Sequence, residues 1–302
     1  MNLADVVNTL DSYFAVKKFD ESGQWLSHMD DVHRAAAKPF FVPEFWGGAW
    51  NGLMLNNGTE ADRVYLVVFP TSDAIDTIIA REVERGASGS VIFAHHPAAY
   101  EEAGRGFVQI PIEQLEELRE HQISYYNCHS PLDCHAETST GTALANALGL
   151  HDLERFAKYY GGYAGVYGTV AQTTFQKFAE HVAKVCELTF LRYDQIVHNT
   201  QPIQKVALVP GSGGSPEFIN EAAELGADTF VTGHWHLFGN NDYSRQRREE
   251  FATYIPTVKI NLIGASHYSS EMVVMRDQMK AWFREELELE AVFIPQDDPW
   301  GQ

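Results

Sequence analysis

Short apolar runs alternate with amphipathic stretches along most of the chain. Leu3, Val6, Val7, Leu10 and Phe14 recur at helical spacing, which predicts a helix over residues 3–14. Residues 39–53 are aromatic and glycine-rich, with Trp46, Gly47, Gly48 and Trp50. They read as a loop whose rings cover the edge of the core or wall a pocket. A regular alternation then begins. Val64–Phe69, Val91–Ala94 and Ile123–Asn127 have the length and composition of buried strands. Helices are expected from Asp73 to about Arg85, with Ser72 as the cap, across Leu115–His121, and over Thr138–Leu148, where Gly149 closes the helix. A second series starts at Gly161. Its strands are Tyr163–Val170, Val206–Val209, Thr229–Thr232 and Val258–Ile263, and its helices cover 174–187, 216–225 and a stretch from about His267. Ser215 suits an N-cap and Pro216 a first helical position. Strands alternating with helices predict an α/β fold with a largely parallel sheet. Two similar α/β layers or subdomains are expected, residues 1–160 and 161–302, with 296–302 an irregular tail.

Charge narrows the partners. The 302 residues carry 22 Lys plus Arg against 41 Asp plus Glu, a net charge of -19. Such a surface argues against a nucleic-acid binder that works through the phosphate backbone, and it repels anionic membranes. An anionic small molecule stays possible, because bound cations invert the local field. The cysteines, Cys128, Cys134 and Cys186, form no paired pattern, which fits a reduced, cytoplasmic setting. The first residues lack a basic and apolar leader, and no apolar run reaches the length of a membrane span.

The chemistry gathers just past inferred strand ends, where open α/β sheets place their ligands. His95 and His96 follow the strand Val91–Ala94, and Pro97 ends regular pairing there. Neighbouring strand side chains point in opposite directions, so two closely spaced ions could take one ring each. His129 and Asp133 follow Ile123–Asn127. Asp133 can bridge two divalent ions or cap the next helix, and His129 can be a ligand or a partner to one. His267 and Glu271 are four apart on a predicted helix and therefore share a face. Together these groups form a donor set for two ions with open positions for water. The loop of Gly211, Ser212, Gly213, Gly214 and Ser215, between a strand and a helix, offers backbone N–H groups to a substrate anion or simply makes a tight turn. It matches neither nucleotide-binding glycine fingerprint. His234 and His236, again after a strand, are candidates for proton transfer.

These residues resemble the Nif-three-like dinuclear metal-centre proteins, often named type 2 GTP cyclohydrolase I homologues. The resemblance rests on His95-His96-Pro97, His129-Ser130-Pro131-Leu132-Asp133 with His135, and His267 with Glu271. Trp50-Asn51-Gly52-Leu53, Val206–Ser215 and Ala227–Gly233 agree in order, so the likeness spans about residues 48–275 and is similar to the shorter bacterial form. It implies a two-part α/β fold with a metal site at strand C-terminal ends between the parts, and a homohexameric ring. It implies metal ligands at His95, His96, Asp133, His267 and Glu271, with His129 close by. Two departures affect the substrate pocket. Trp50 stands where the family commonly has an aspartate, and His234 where an acidic residue is usual.

The resulting expectation is a hydrolase using two divalent ions, Zn, Fe, Mn or Ni, on a nucleotide or related heterocycle. His95 and His96 would serve one ion each, Asp133 and His267 would complete the spheres, and Glu271 would bridge. His129, His234 or His236 would move protons. For cyclohydrolase chemistry, water would attack the purine C8. The alternative is a metal-binding regulatory or assembly protein without turnover.

Overall fold

A computed structural model describes the whole chain except residues 20, 22–24, 49, 87–88, 102–105, 195–200, 236–241 and 298–302. In chain order its elements begin with α1 (Leu3–Tyr13), α2 (Asp31–Ala37), α3 (Pro43–Trp46), β1 (Gly52–Leu55), β2 (Arg63–Val67), α4 (Ser72–Arg85) and β3 (Ser90–Ala94). A two-stranded ribbon, β4 (Ala99–Glu101) and β5 (Gly106–Val108), precedes α5 (Ile112–Glu120), β6 (Ile123–Asn127) and α6 (Ser130–Asp133). Then come α7 (Thr140–Ala147), β7 (His151–Tyr159), β8 (Gly162–Thr173), α8 (Phe175–Val185), β9 (Arg192–Asp194), β10 (Ile203–Val209), α9 (Pro216–Glu224) and β11 (Thr229–Thr232). The chain ends with α10 (Asp242–Tyr254), β12 (Asn261–Gly264), α11 (His267–Val273), a π-helical turn over Val274–Met279, α12 (Lys280–Glu286) and β13 (Glu290–Phe293).

The first compact unit comprises Met1–Tyr100, Phe107–His135 and Met275–Gln296. Its sheet has the order β1-β6-β3-β2-β13, parallel throughout except for β1, which runs antiparallel to β6. Strands β2, β3 and β6 are buried along almost their whole length, because helices cover both faces. On one face Tyr65, Val67, Ile92 and Tyr125 pack with Ile75 and Ile78 of α4 and with Leu115 and Leu118 of α5. On the other, Phe93 meets Phe14, next to α1, at 6.0 Å and Phe283 of α12 at 5.4 Å between ring centroids. Residues 39–53 are more regular than the expected loop. They hold α3 and the start of β1, and Phe41, Phe45 and Trp46 cluster around the buried Trp25.

Helix α4 starts one residue earlier than expected, and its cap differs. Thr71 is the N-cap, its Oγ1 accepting from the Ala74 amide at 3.3 Å, and Ser72 is the first helical residue. Thr71→Ala is therefore expected to lower stability by about 1 kcal/mol and Ser72→Ala to leave it nearly unchanged. Urea unfolding of the two variants checks this, and the opposite ranking would return the cap to Ser72.

The second unit is built chiefly from Ala136–Val274. Its sheet runs β7-β8-β10-β11-β12-β9, with β10, β11 and β12 parallel and the outer pairs antiparallel. Phe156, Tyr167, Val209, Phe230 and Leu262 form its core with Ile219 and Ala222 of α9 and Phe251 of α10. Residues 160 and 161 lie in the turn between β7 and β8, inside this unit. Strand β7 is an edge strand with mostly exposed or half-buried side chains, so its sequence carries no apolar run. The expected strand Val258–Ile263 is shorter, beginning at Asn261 after a 3-10 turn over Ile255–Thr257.

Candidate metal centre

In the first unit the parallel pairing of β3 with β6 sets Ala94 opposite Asn127. The residues that follow are consequently delivered side by side. The ladder continues one step further, with the Cys128 amide donating to the Ala94 carbonyl at 2.9 Å. His95 and His96 are likewise held to the β2 side, their amides donating to the carbonyls of Val67 and Val68. The result is a group of three imidazoles, buried His95 and His96 and half-buried His129, each offering a ring nitrogen within 4.8 Å of the others. His96 is fixed by stacking on Phe69 at 4.3 Å.

Second partners decide which ring nitrogens face the group. His95 Nδ1 lies 2.9 Å from the Cys128 carbonyl, which only accepts, so Nδ1 carries the proton. His95 Nε2 is left with its lone pair, 3.4 Å from Asp133 Oδ1. Two acceptors facing each other inside a protein are compatible with a cation between them. His129 Nδ1 meets Glu21 Oε1 at 2.5 Å. Glu21 Oε2 accepts from Asn51 Nδ2 at 3.0 Å and from the Ser130 amide at 3.2 Å, while Asn51 Oδ1 accepts from the His129 amide at 2.6 Å. Burial disfavours the Glu21 carboxylate, but the His129 charge and these hydrogen bonds outweigh it and hold the group down at about 2. Burial opposes protonation of His129, and the Glu21 charge reverses the balance, so its value is raised. A carboxylate on one ring nitrogen directs the other toward a metal and increases its basicity. The donor chemistry of this unit fits a divalent cation.

Glu21 was not visible in the sequence. It lies 108 positions from His129 in a stretch without periodicity, and only the folded chain brings the two together. Trp50, at the position of a common aspartate, packs its ring 5.5 Å from that of His129, and its neighbour Asn51 makes the polar contact.

In the second unit three parallel strands end in register, Val209 opposite Thr232 and Thr232 opposite Gly264. Each delivers one part of a cluster: Ser212, His234 and His267. Helix α11 begins at His267, and Ser266 caps it with Oγ accepting from the Ser269 amide. Ser266 has φ 63° and ψ 144°, a conformation that costs a non-glycine residue on the order of 1–3 kcal/mol. The expected helical pair is formed, with His267 Nε2 lying 3.2 Å from Glu271 Oε1 and both residues buried. His267 Nδ1 is 3.3 Å from both Ser212 Oγ and His234 Nε2, which are 3.2 Å apart. Burial, reinforced by the His267 charge, pushes His234 down to about 3, so its ring is a neutral hydrogen-bonding group at ordinary pH.

The glycine-rich loop serves this cluster. Gly211 has φ +62°, and a Cβ there would overlap the Glu271 carboxylate. Its amide donates to Ser270 Oγ at 3.0 Å, and its carbonyl accepts from the His234 amide at 3.1 Å. Gly213 and Ser215 spend their amides on the carbonyls of Pro210 and Gly213. Three of the loop's amides thus have partners inside the unit, and Ser212 is the exposed member of the loop, its hydroxyl beside two imidazoles. Ser215 caps α9 as expected, with Pro216 as the first helical residue. His236 lies outside the described residues.

A family model described as Duf34/NIF3 (NGG1p interacting factor 3) matches residues 44–299. The chain belongs to the Duf34/NIF3 family. Among relatives of this NIF3 chain, a Pyrococcus abyssi protein named GTP cyclohydrolase 1 type 2 homolog is 27% identical over 253 residues, covering 83% of this chain and 90% of that one. An Archaeoglobus fulgidus protein of the same name is 23% identical over 296 residues, 97% and 98% of the two chains. The crystal structure of a Staphylococcus aureus hypothetical protein shares the fold, with a TM-score of 0.68 at 18% identity over 100% and 99% of the chains. A Thermus thermophilus protein does so with a TM-score of 0.65 at 22% identity and 98% coverage of each. The mixed α/β fold is thus the NIF3 fold. No helix among the described residues is long and apolar enough to cross a membrane.

Proposed function

We propose that this NIF3 chain is a metal-dependent hydrolase that holds two divalent ions and acts on a nucleotide or a related heterocycle. The observation that carries the metal part is the set of buried His95 and His96 with half-buried His129, the His95 Nε2 lone pair being turned toward Asp133. His95, His96, Asp133, His267 and Glu271 would hold the two ions. That the donors of the two units serve one pair of ions rests on the sequence resemblance and on donor number. Bound ions of this kind lower the pKa of water and polarise the substrate. The chain's own residues orient the ligands: Cys128 and Glu21 fix the rings of His95 and His129, and Ser212 and His234 fix that of His267. His234, a neutral ring, accepts a hydrogen bond from water or a substrate hydroxyl, and His129 shares a proton with Glu21. Substrate contact is assigned to the exposed Ser212 rather than to a cradle of loop amides. The relatives' name, GTP cyclohydrolase 1 type 2 homolog, supports a nucleotide-like substrate. A homohexamer is proposed on the same resemblance.

Metal content per chain tests this reading, measured on protein purified without added metal or affinity tag. Wild type is expected to hold close to two ions, and His96→Ala and Glu271→Ala each to lower the content of a shared centre by more than one ion. Losses of one ion at most in each variant would mean two separate sites. No uptake of Zn, Mn or Fe(II) by wild type would remove the hydrolase reading altogether.

A further inference from the structure

The first unit contains a cavity of about 750 Å³ beside the residues that hold His129. Its volume falls within the range of small-molecule sites, roughly 300–1,000 Å³. Its walls come from α1, the segment after it, and residues 42–56. Val7, Val16, Phe45, Trp50 and Leu53 supply apolar and aromatic surface. The Trp50 indole N–H is buried without a hydrogen-bond partner among the described residues, which leaves a donor on a cavity-lining side chain. The charged lining groups are three carboxylates, Asp11, Glu21 and Glu44, against one ammonium, Lys17. No arginine or histidine lines it among the described residues. Glu21 and Asn51 have a second role, since both hold His129, by its ring and by its amide.

We propose that this cavity binds a flat heteroaromatic molecule of nucleoside size, uncharged or cationic, and that the occupant is felt at His129. Aromatic walls select a planar ligand, by stacking or edge-on contact. The excess of carboxylates selects against phosphate, because like charges brought together in a partly dry site repel. Glu21 and Asn51 line the cavity and also contact His129, which links the cavity to the imidazole group. A change in how Glu21 and Asn51 are engaged then alters the orientation and basicity of His129. The binding half stands whether or not the metal reading does. The coupling half rests on it.

Three purine probes on one scaffold separate the possibilities: guanosine, 1-methyladenosine as the cation, and GMP as the anion. Calorimetry on chelator-treated protein is expected to show the first two binding and GMP at least ~10-fold weaker. Val7→Trp fills the cavity and is expected to abolish binding with the melting temperature retained, and Leu53→Trp replaces it if that variant fails to fold. Glu44→Lys is expected to narrow the gap to GMP at least ~3-fold. GMP binding as tightly as guanosine, undiminished binding in a folded filling variant, or no binding of any probe would overturn the site. Saturating 1-methyladenosine is expected to shift zinc affinity at least ~3-fold, with the reciprocal shift in ligand affinity. An unchanged zinc affinity alongside normal probe binding would overturn the coupling alone.

Discussion

Gly211→Ala is expected to weaken zinc binding at the His267–Glu271 pair at least ~100-fold while the protein stays folded. Two costs combine at this position. With φ at +62°, an alanine pays about 1–2 kcal/mol for the left-handed conformation. Its Cβ would also overlap Glu271 Oε1 and come within 3.0 Å of both Glu271 Cδ and His267 Nε2. The carboxylate must move, and Glu271 is only 4% exposed, so it cannot swing into solvent without repacking. The loop is also tied at both of its backbone groups, the amide to Ser270 and the carbonyl to the His234 amide, which blocks retreat on that side. Gly226→Ala is the control. Gly226 has φ +83° but nothing within 4 Å of a built Cβ, so that variant carries the backbone strain without the overlap. Zinc affinity by chelator competition should fall in the first variant and hold in the second. Equal affinities in the two would show that Gly211 does not shape the metal-facing pair.

Parallel strands buried on both faces leave continuous apolar runs, and Val64–Phe69, Val91–Ala94 and Ile123–Asn127 were legible for that reason. Edge strands β7 and β13 keep one side in water and mix Glu and Lys with apolar residues, so their pattern is weak. The ligand-type residues follow strand ends in the chain itself, which made His95, His96, His129 and His267 visible as a set. The helical spacing of His267 and Glu271 is local geometry and was realised as a 3.2 Å contact. The glycine loop left two readings open, free amides or a tight turn. A run of glycines between strand and helix looks like free amides, yet here Gly211 is small so that Glu271 can lie against it. That requirement is tertiary, and spacing cannot express it. Nor can spacing reveal a carboxylate that reaches its histidine from residue 21.

Glu21→Gln is expected to lower zinc affinity about 10- to 100-fold, the usual effect of removing the partner that orients a ligand histidine. It is also expected to flatten the acid dependence of stability. The folded carboxyl lies near 2 against an ordinary value of 4.5, so this group is depressed. A depressed carboxylate stabilises the fold fully above about pH 4.5 and loses that contribution as pH falls toward 2. The difference corresponds to about 3 kcal/mol, an order-of-magnitude value at 1.36 kcal/mol per unit. The raised value of His129 reports the same contact and is not added a second time. Urea unfolding of metal-free protein at pH 5 and pH 3 isolates the effect. Wild type should lose more stability than Glu21→Gln between the two, because glutamine has no proton to take up. Parallel losses in the two proteins would mean that the carboxylate is not held by His129 and Asn51 in solution. A normal acid dependence difference with unchanged zinc affinity would have a separate meaning: Glu21 would then anchor the fold around residue 21 without acting on the metal through His129.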